Sequence, residues 1–477
     1  MNKIAKNYLY NLSYQILILI VPLITTPYVS RVLGAKGVGI FSYTNSIVQY
    51  FILFGCVGLN LYGQREIAYV QHDKEKRNKT FWELVILRIC TIAVSLILFY
   101  VLFVHKEQYR SIYAIMSTEI VASMVDISWF YEGIEDFKKI VVRNFIVKIL
   151  GVLLIFLFVK KQEDLIWYVF IQAFTLLLGN LSMWTYVPKL ISFFPVSSLE
   201  IRKHLKPTLA IFLPQIASSV YTILDKTMIG FITGIEEEVA YYEQAQKLVK
   251  LVMAIVTSLG TVMLPRIANL FKLNDYDRIK ECIGLSFKFT CFLAFPMMFG
   301  LMGISYNFVP WFFGNGYEKV IPNMIVIAPV LLCIATSNII GVQFLLPTGR
   351  QREYTLSIFA GCILNLALNG IFIPRYLSLG AAIGSVIAEL GVTSVQIYFT
   401  RNEFSIKHIV KDNKYYIECS AIMFFPVYVL SKLLVPSFVN TIICVLVGGI
   451  TYFLLLFAMK DATMLEVINK ILKKDSG

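Results

Sequence analysis

The sequence predicts an all-α polytopic membrane protein with about fourteen transmembrane helices. Hydrophobic residues make up 57% of the 477-residue chain and charged residues only 15%, whereas soluble domains carry about 25% charged residues. The mean hydropathy is +0.70. Apolar runs of about 20 residues, enough for a helix to span a bilayer, recur along the whole chain. Strands are excluded there because an open sheet edge cannot face lipid. This composition also excludes a soluble enzyme, a disordered chain and a disulfide-rich secreted domain.

The predicted spans alternate with short polar connections. The first span follows Lys3 and Lys6 without a small-residue cleavage site, so we do not interpret it as a signal peptide. The fourteen spans cover residues 10–33, 38–63, 81–104, 111–131, 141–159, 165–186, 207–232, 239–264, 285–306, 322–344, 355–374, 380–400, 415–434 and 437–458. The longer connections 187–206 and 265–284 mix apolar and basic residues, and we expect helices lying on the membrane face there. The tail 462–474 has the same pattern, which also fits a solvated basic tail.

The distribution of Lys and Arg predicts the orientation. With the N-terminus inside, 28 of the 43 Lys and Arg residues fall in inner segments and 9 in outer ones. Both termini are therefore expected in the cytoplasm. The net charge of +13 follows from these membrane-flanking clusters, so we do not expect a nucleic acid partner.

An internal repeat divides the chain. The face of the second span that carries Asn45 and Gln49 matches Gln246 and Lys250 of the eighth span at an offset of 201. The seventh span comes six spans after the first, an even number, so the halves share one orientation, as in parallel-repeat transporters. We therefore predict two pseudo-symmetric six-helix lobes. The predicted segments are an N-terminal lobe 1–186, a cytoplasmic linker 187–206, a C-terminal lobe 207–400, and two extra helices with a basic tail at 401–477.

Several polar and ionisable residues fall inside spans, where they are costly and usually face a cavity or a partner. We expect a water-filled cavity lined by cationic and amide side chains, which suits phosphate groups and sugar hydroxyls. The alternative is that each cation pairs with an acidic neighbour such as Asp225 and stabilises packing. The polar and ionisable residues that we select from the spans are Asn45, Gln49, Arg88, Lys148, Asp225, Lys226, Gln246, Lys247 and Lys250.

Sequence motifs of soluble catalysis are absent. The chain contains no phosphate-binding G-x-x-x-x-G-K-[ST] loop, no H-E-x-x-H and no G-x-S-x-G. All four histidines lie outside the predicted spans, and the eight cysteines form no C-x-x-C pair. We therefore expect no catalytic residues, no metal site and no enzymatic activity.

Four stretches of the chain resemble Wzx-type polysaccharide flippases. The opening stretch runs from Pro22 to Gly34 and continues through Gly37–Tyr43. The other three are Ile127–Glu135, Asp225–Gly230, and Gly341–Gly349 followed by Asn365–Asn369. Their order also fits, and the resemblance covers roughly residues 1–400. Arg31 joins the predicted substrate-binding residues because it belongs to the opening stretch.

This resemblance implies membership of the multidrug/oligosaccharidyl-lipid/polysaccharide exporter superfamily. The expected function is flipping of undecaprenyl-diphosphate-linked oligosaccharide repeat units from the inner to the outer leaflet of the bacterial cytoplasmic membrane, for surface polysaccharide synthesis. The expected driving force is an H⁺ or Na⁺ gradient, without another cofactor. Membrane lipids, a polysaccharide polymerase and a chain-length regulator are the expected partners.

Three other functions remain open at this point. A peptidoglycan-precursor flippase and a drug/cation antiporter belong to the same superfamily, although an antiporter should favour acidic cavity groups. A membrane-embedded polysaccharide polymerase or ligase belongs to another class. It would need a sizeable outer loop, which the predicted topology does not provide.

Overall fold

The computed structural model describes residues 3–105, 107–461 and 464, and the regular secondary structure of these residues is helical, without a β-strand. The α-helices are α1 (Lys3–Cys56), α2 (Leu59–Val70), α3 (Lys74–Phe99), α4 (Arg110–Met124), α5 (Ser128–Gly133), α6 (Phe137–Phe158), α7 (Leu165–Trp184), α8 (Leu205–Thr233), α9 (Glu236–Lys272), α10 (Tyr276–Phe313), α11 (Val320–Ile327), α12 (Val330–Ser337), α13 (Gln351–Tyr376), α14 (Ser378–Phe399), α15 (Ile406–Leu433) and α16 (Phe438–Ala458). Two π-helical segments span Tyr100–Val104 and Asn338–Leu345. The predicted all-α class is confirmed.

Twelve segments of the described chain are long and apolar enough to cross a membrane. The protein is therefore a multi-pass membrane protein. One of the twelve, Ile20–Val70, contains the end of the first predicted span and all of the second. A further helix, α8, covers the predicted span 207–232. Each of the fourteen predicted spans thus overlaps helical chain, although the spans 38–63 and 111–131 each contain a short break between two helices.

The first two predicted spans meet at Gly34, where α1 departs from helical geometry. Gly34 has φ 67° and ψ 175°, a left-handed φ that glycine adopts without the clash of a Cβ atom. Pro22 and Pro27 lie inside α1, and the backbone keeps helical dihedral angles at both. The backbone change between the spans therefore depends on a glycine and not on the prolines.

The chain forms two compact units. The first contains the described residues up to Gly230 together with Ile235–Ala240, and the second contains Phe231–Gly234 and the described residues from Tyr241 onwards. Nearly all of α8, which we predicted to open the C-terminal lobe, is therefore part of the first unit. The division into repeat lobes at 1–186 and 207–400 stays a prediction.

Some helix boundaries correspond at the offset of 201 that the predicted repeat uses. The part of α1 that precedes Gly34 corresponds, at the offset of 201, to residues 204–234, and α8 is Leu205–Thr233. Residue 35 corresponds to Glu236, where α9 begins. The end of α2 at Val70 corresponds to residue 271, one residue before α9 ends. The two copies differ because the first is interrupted at Val57 and Gly58, whose φ angles are both positive.

The connection between residues 187 and 206 does not form the predicted surface helix. It contains three short 3₁₀ turns, at Val187–Lys189, Val196–Ser198 and Ile201–His204. It is held against α3 by hydrogen bonds from Trp82 Nε1 to Ser192 O at 3.1 Å and from Lys203 Nζ to Glu83 Oε1 at 3.1 Å. These contacts explain why the connection does not form a surface helix, because Lys203 binds Glu83 of α3 and Glu200 of the connection itself.

The second connection, 265–284, also differs from the prediction of surface helices. Its first part continues α9 to Lys272, and its second part begins α10 at Tyr276. Asp275 caps α10 by accepting a hydrogen bond from the Arg278 amide at 3.2 Å. The predicted amphipathic tail 462–474 lies outside the described residues, except for residue 464.

Glycines bring α2 and α5 into close contact in the first unit. A Cβ atom on Gly63 would lie 2.7 Å from the Trp129 ring, and one on Gly133 would lie 2.7 Å from Ile67. Trp129, Ile67 and the neighbouring Phe130 are fully buried in one apolar cluster. The stretch Ile127–Glu135, which carries part of the family resemblance, therefore has a packing role here.

Candidate functional site

The predicted site residues lie in both compact units, and each unit is described separately. The first unit holds Arg31, Asn45, Gln49, Arg88, Lys148, Asp225 and Lys226. The second holds Gln246, Lys247 and Lys250. Their assignment to substrate binding stays a prediction, and the contacts below define what each side chain can do.

A polar contact joins α1 to α8 in the first unit. The hydroxyls of Ser46 and Thr227 lie 2.8 Å apart. Gly230 allows this approach, since a Cβ atom there would lie 2.2 Å from the Tyr43 ring. The predicted residues Asn45 and Lys226 are the chain neighbours of the two hydroxyl residues, and both are half-buried.

Two further predicted residues lie near this contact along their helices. Gln49 is one turn from Asn45 on α1 and is half-buried. Asp225 precedes Lys226 on α8 and is 2% exposed. The structure therefore gathers four of the predicted residues, Asn45, Gln49, Asp225 and Lys226, on the adjoining parts of α1 and α8.

Arg88 is buried at the junction of α1, α2, α3 and α4. Its side chain is 2% exposed. Arg88 Nε donates to Ser123 O at 2.6 Å and Nη1 donates to Asn60 Oδ1 at 2.7 Å. Nη2 lies 3.6 Å from Asp126 Oδ2 and 3.6 Å from Cys56 Sγ. These contacts occupy the guanidinium within its own unit. They fit the alternative that a cationic residue in a span pairs with an acidic neighbour and stabilises packing.

The same carboxylate organises a second arginine. Arg143 Nη1 lies 3.9 Å from Asp126 Oδ1 and donates to Asn180 Oδ1 at 2.8 Å. Asp126 Oδ1 also accepts hydrogen bonds from the backbone amide and the hydroxyl of Ser128. This half-buried polar cluster forms at the break between α4 and α5. Arg143 was not selected because it lies at the start of the predicted span 141–159, where it was counted with the inner basic residues Lys138 and Lys139.

Lys148 and Arg31 occupy different environments from Arg88. Lys148 is an exposed residue of α6 between the exposed side chains of Ile146 and Ile149. In the described part of the chain Lys148 makes no hydrogen bond or ion pair. Arg31 is exposed on α1, near the break at Gly34. The structure thus does not bring Lys148 together with Arg88.

A hydrogen-bonded polar ladder runs along α9 in the second unit. Lys250 Nζ donates to Gln246 Oε1 at 2.9 Å, and Gln246 Nε2 donates to the Tyr242 hydroxyl at 3.1 Å. The Tyr242 hydroxyl lies 2.9 Å from Ser385 Oγ on α14. Lys250 is exposed, while Tyr242 is fully buried. The ladder therefore runs from a buried hydroxyl pair to an exposed ammonium group.

The ladder lies far from the start of α9. Lys247 and Lys250 are 11 and 14 residues after Glu236, which corresponds to about 16 and 21 Å along a helix rising 1.5 Å per residue. Lys247 is half-buried. Both lysines therefore lie well inside a long helix, and their role in substrate binding stays a prediction.

Glu119 is a buried carboxylate of α4 that our site selection omitted. Its side chain is 5% exposed. Among the residues that the structure describes, it accepts no hydrogen bond and forms no ion pair. Glu119 could have been selected from the sequence, because it lies inside the predicted span 111–131 and an acidic residue inside a span is by default a functional candidate. Within the same described ranges, no cluster of His, Cys, Asp and Glu suited to a metal ion occurs.

Comparison with known proteins places these features in a family. The family described as "Polysaccharide biosynthesis protein" matches residues 4–271, which is more than half of the chain. The "Putative O-antigen transporter" of Escherichia coli (strain K12) is 26% identical over 391 residues, covering 80% of this chain and 93% of the relative. Its counterpart of the same name in Shigella dysenteriae is 23% identical, covering 77% and 93%.

Solved structures show the same fold. The lipid II flippase MurJ, in an inward closed conformation, matches with a TM-score of 0.77 at 18% identity, covering 95% of this chain and 99% of that one. An inward-facing multidrug resistance transporter of the MATE family and MOP superfamily matches with a TM-score of 0.60 at 12% identity, covering 82% and 99%. The family match over more than half of the chain identifies it as a member of the polysaccharide biosynthesis protein family, and its fold is similar to those of the two solved structures.

Proposed function

We propose that this protein flips undecaprenyl-diphosphate-linked oligosaccharide repeat units from the inner to the outer leaflet of the bacterial cytoplasmic membrane, for surface polysaccharide synthesis. The family membership and the O-antigen transporter relatives support transport of a lipid-linked oligosaccharide. These relatives are transporters, so the alternative of a polymerase or ligase has no support among them. We also propose that both termini lie in the cytoplasm, a proposal supported by the distribution of Lys and Arg.

The polar ladder on α9 is the observation that carries the proposal. A diphosphate loses much of its hydration when it enters a membrane, and ammonium groups offset that loss with charge and N–H donors. Lys250, at the exposed end of the ladder, supplies such a group about 21 Å into the helix. The hydrogen bond to Gln246 fixes the direction of the Lys250 side chain, which reduces the cost of ordering it on binding.

Sugar hydroxyls need both donors and acceptors, and the same ladder supplies them. The carboxamide of Gln246 and the hydroxyl of Tyr242 each carry both functions. On α1, the carboxamides of Asn45 and Gln49 add two more half-buried groups of this kind. Each unit therefore presents a polar helix face that suits an oligosaccharide, while the apolar surface around it suits a lipid chain.

We propose that an H⁺ or Na⁺ gradient drives the cycle. Glu119 supports this idea, because an intramembrane carboxylate that lacks a partner within the described chain is a natural binding group for a small cation. Replacing Glu119 by Gln keeps the shape of the side chain and removes the ionisable group. We expect the variant to lose the dependence of transport on the ion gradient while keeping exchange at equilibrium.

The proposal is tested with purified protein in vesicles that contain a fluorescent undecaprenyl-diphosphate oligosaccharide. A membrane-impermeant quencher reports the arrival of label in the opposite leaflet. We expect Lys247→Ala/Lys250→Ala to abolish flipping, whereas Lys288→Ala, a half-buried residue of α10 outside the ladder, should retain most of it. Full flipping by a well-folded double variant would remove the ladder from the mechanism. Absence of flipping in the unaltered protein would contradict the proposed function itself.

A peptidoglycan-precursor flippase is the second candidate. The similarity to the fold of the lipid II flippase MurJ, with a TM-score of 0.77, favours it. Competition between lipid II and an undecaprenyl-diphosphate oligosaccharide in the same vesicles separates the two functions. Preference for lipid II, together with rescue of cells depleted of their own lipid II flippase, would favour the second candidate. The drug/cation antiporter alternative predicts instead that vesicles take up a cationic dye.

A further inference from the structure

The second unit carries a basic groove on α15, apart from the residues assigned to transport above. Lys407, Val410, Lys411 and Lys414 line an open surface depression of about 490 Å³. Spacings of 3, 4 and 7 residues place these side chains on one face of the helix. All four are exposed. These four residues are called the α15 basic groove.

The opposite face of α15 is fixed by packing. Tyr416, Met423 and Val427 are buried in a cluster with residues of α16. The hydroxyl of Tyr416 also donates to Asp461 Oδ2 at 3.1 Å. The basic groove is therefore held outward by a helix that cannot rotate without breaking this core.

The outward face changes from basic to apolar along the helix. Beyond Lys414, the exposed side chains include Ile422, which is 54% exposed, and Phe425, which is 70% exposed. Lys414 and Phe425 are 11 residues apart, or about 16 Å of helix. Because this stretch belongs to a helix apolar enough to cross a membrane, its apolar part meets lipid chains and its basic part lies toward the membrane surface.

The charges around the groove leave it positive. Glu418 lies 3.7 Å from Lys414, and both side chains are more than half exposed, so this ion pair is weak and can be exchanged for another anion. His408 and Asp412 are exposed on neighbouring faces of the same helix. Three lysines and one weakly paired acid thus face the groove, a charge pattern that suits an anionic group.

We propose that the α15 basic groove binds an anionic phospholipid. The headgroup phosphate lies among Lys407, Lys411 and Lys414, whose methylene chains contact the glycerol region. One acyl chain follows the exposed face past Ile422 and Phe425. A basic cluster at the membrane end of a helix followed by an apolar face matches both parts of this ligand. The site is independent of the proposed transport function.

Lipid binding to the purified full-length protein tests this site. The probes are phosphatidylglycerol and phosphatidylcholine with identical acyl chains, added to delipidated protein and counted by native mass spectrometry. We expect the unaltered protein to retain phosphatidylglycerol in preference to phosphatidylcholine. The variant Lys407→Gln/Lys411→Gln/Lys414→Gln should bind phosphatidylglycerol roughly tenfold or more weakly, given the attraction of each lysine for an anionic surface.

A matched variant separates this groove from general surface charge. Lys272→Gln/Arg278→Gln/Lys280→Gln removes the same charge from exposed positions around the turn between α9 and α10, and we expect it to bind phosphatidylglycerol normally. Equal loss in both variants, or equal retention of the two lipids by the unaltered protein, would overturn the proposal. Displacement of the lipid by millimolar inorganic phosphate would overturn the choice of a phospholipid in favour of a free anion. Melting curves of the variants show that each is folded.

Discussion

Replacing Arg88 by Ala is expected to destabilise the first unit before it affects transport. The substitution removes the donors to Ser123 O and Asn60 Oδ1 and the ion pair with Asp126. Hydrogen bonds to charged groups contribute about 1.5–3 kcal/mol each, and breaking a buried ion pair costs about 3–5 kcal/mol. Because Asp126 keeps Arg143 and Ser128 as partners, we expect a loss of about 3–4 kcal/mol. Thermal melting followed by size-exclusion chromatography measures it.

The control for this prediction is an exposed arginine. Arg278 pairs with Asp275 at 3.4 Å and is 71% exposed, so Arg278→Ala should cost less than about 1 kcal/mol. Arg88→Lys should recover only part of the stability, since one ammonium group cannot reproduce the planar fork of donors. An Arg88→Ala protein with normal melting behaviour and no flipping activity would refute the structural role and return Arg88 to the substrate path.

Three other predictions follow from the same structure. Gly63→Ala should destabilise the protein by about 1–3 kcal/mol, as overpacked sites do, because the added Cβ would lie 2.7 Å from the Trp129 ring. The control is Gly284→Ala, which should not destabilise the protein because no atom lies within 4 Å of the added Cβ. Burial favours a raised pKa at Asp461, but hydrogen bonds from Tyr415, the Met464 amide and Tyr416 outweigh burial and lower the pKa below 3.8. The Asp461→Asn protein should therefore melt at a lower temperature than the unaltered protein at pH 7. This difference in melting temperature should shrink as the pH falls below 3.8, because the carboxylate of the unaltered protein then becomes protonated. In a cysteine-free background, a membrane-impermeant maleimide added outside cells should label Lys160→Cys and spare Lys76→Cys and Lys203→Cys, and the reverse pattern would invert the topology.

The helical fold was predictable because lipid imposes one strong constraint. Each backbone polar group inside the membrane must be paired, so long apolar runs become helices whatever their other contacts. The predicted spans accordingly fall on the helices of the structure. The interruption at Gly34 falls in the predicted gap between the spans 10–33 and 38–63, but the prediction did not identify the glycine as its cause. The structure places the left-handed backbone at the glycine, where it is least costly.

The inner connections were mispredicted for a different reason. Mixed apolar and basic residues between 187 and 206 have the composition of a surface helix. Their partners, however, are specific groups on α2 and α3. The imidazole Nε2 of His204 lies 2.9 Å from Glu83 Oε2, and its Nδ1 lies 2.7 Å from the Tyr62 hydroxyl. Contacts over more than a hundred residues of sequence cannot be read from a local pattern of apolar and basic residues.

The candidate site shows how far residue type can be taken in a membrane protein. An intramembrane cation signals either a ligand site or a buried pair, and the sequence treats Arg88 and Lys250 alike. The structure separates them, because Arg88 is enclosed by partners from its own unit and Lys250 ends a ladder at an exposed position. A guanidinium with several fixed donors suits the enclosed role, whereas a flexible ammonium at the end of an oriented chain suits a passing anion. The first test of the transport mechanism therefore belongs on α9, and substitutions at Arg88 should be interpreted only after their effect on folding is known.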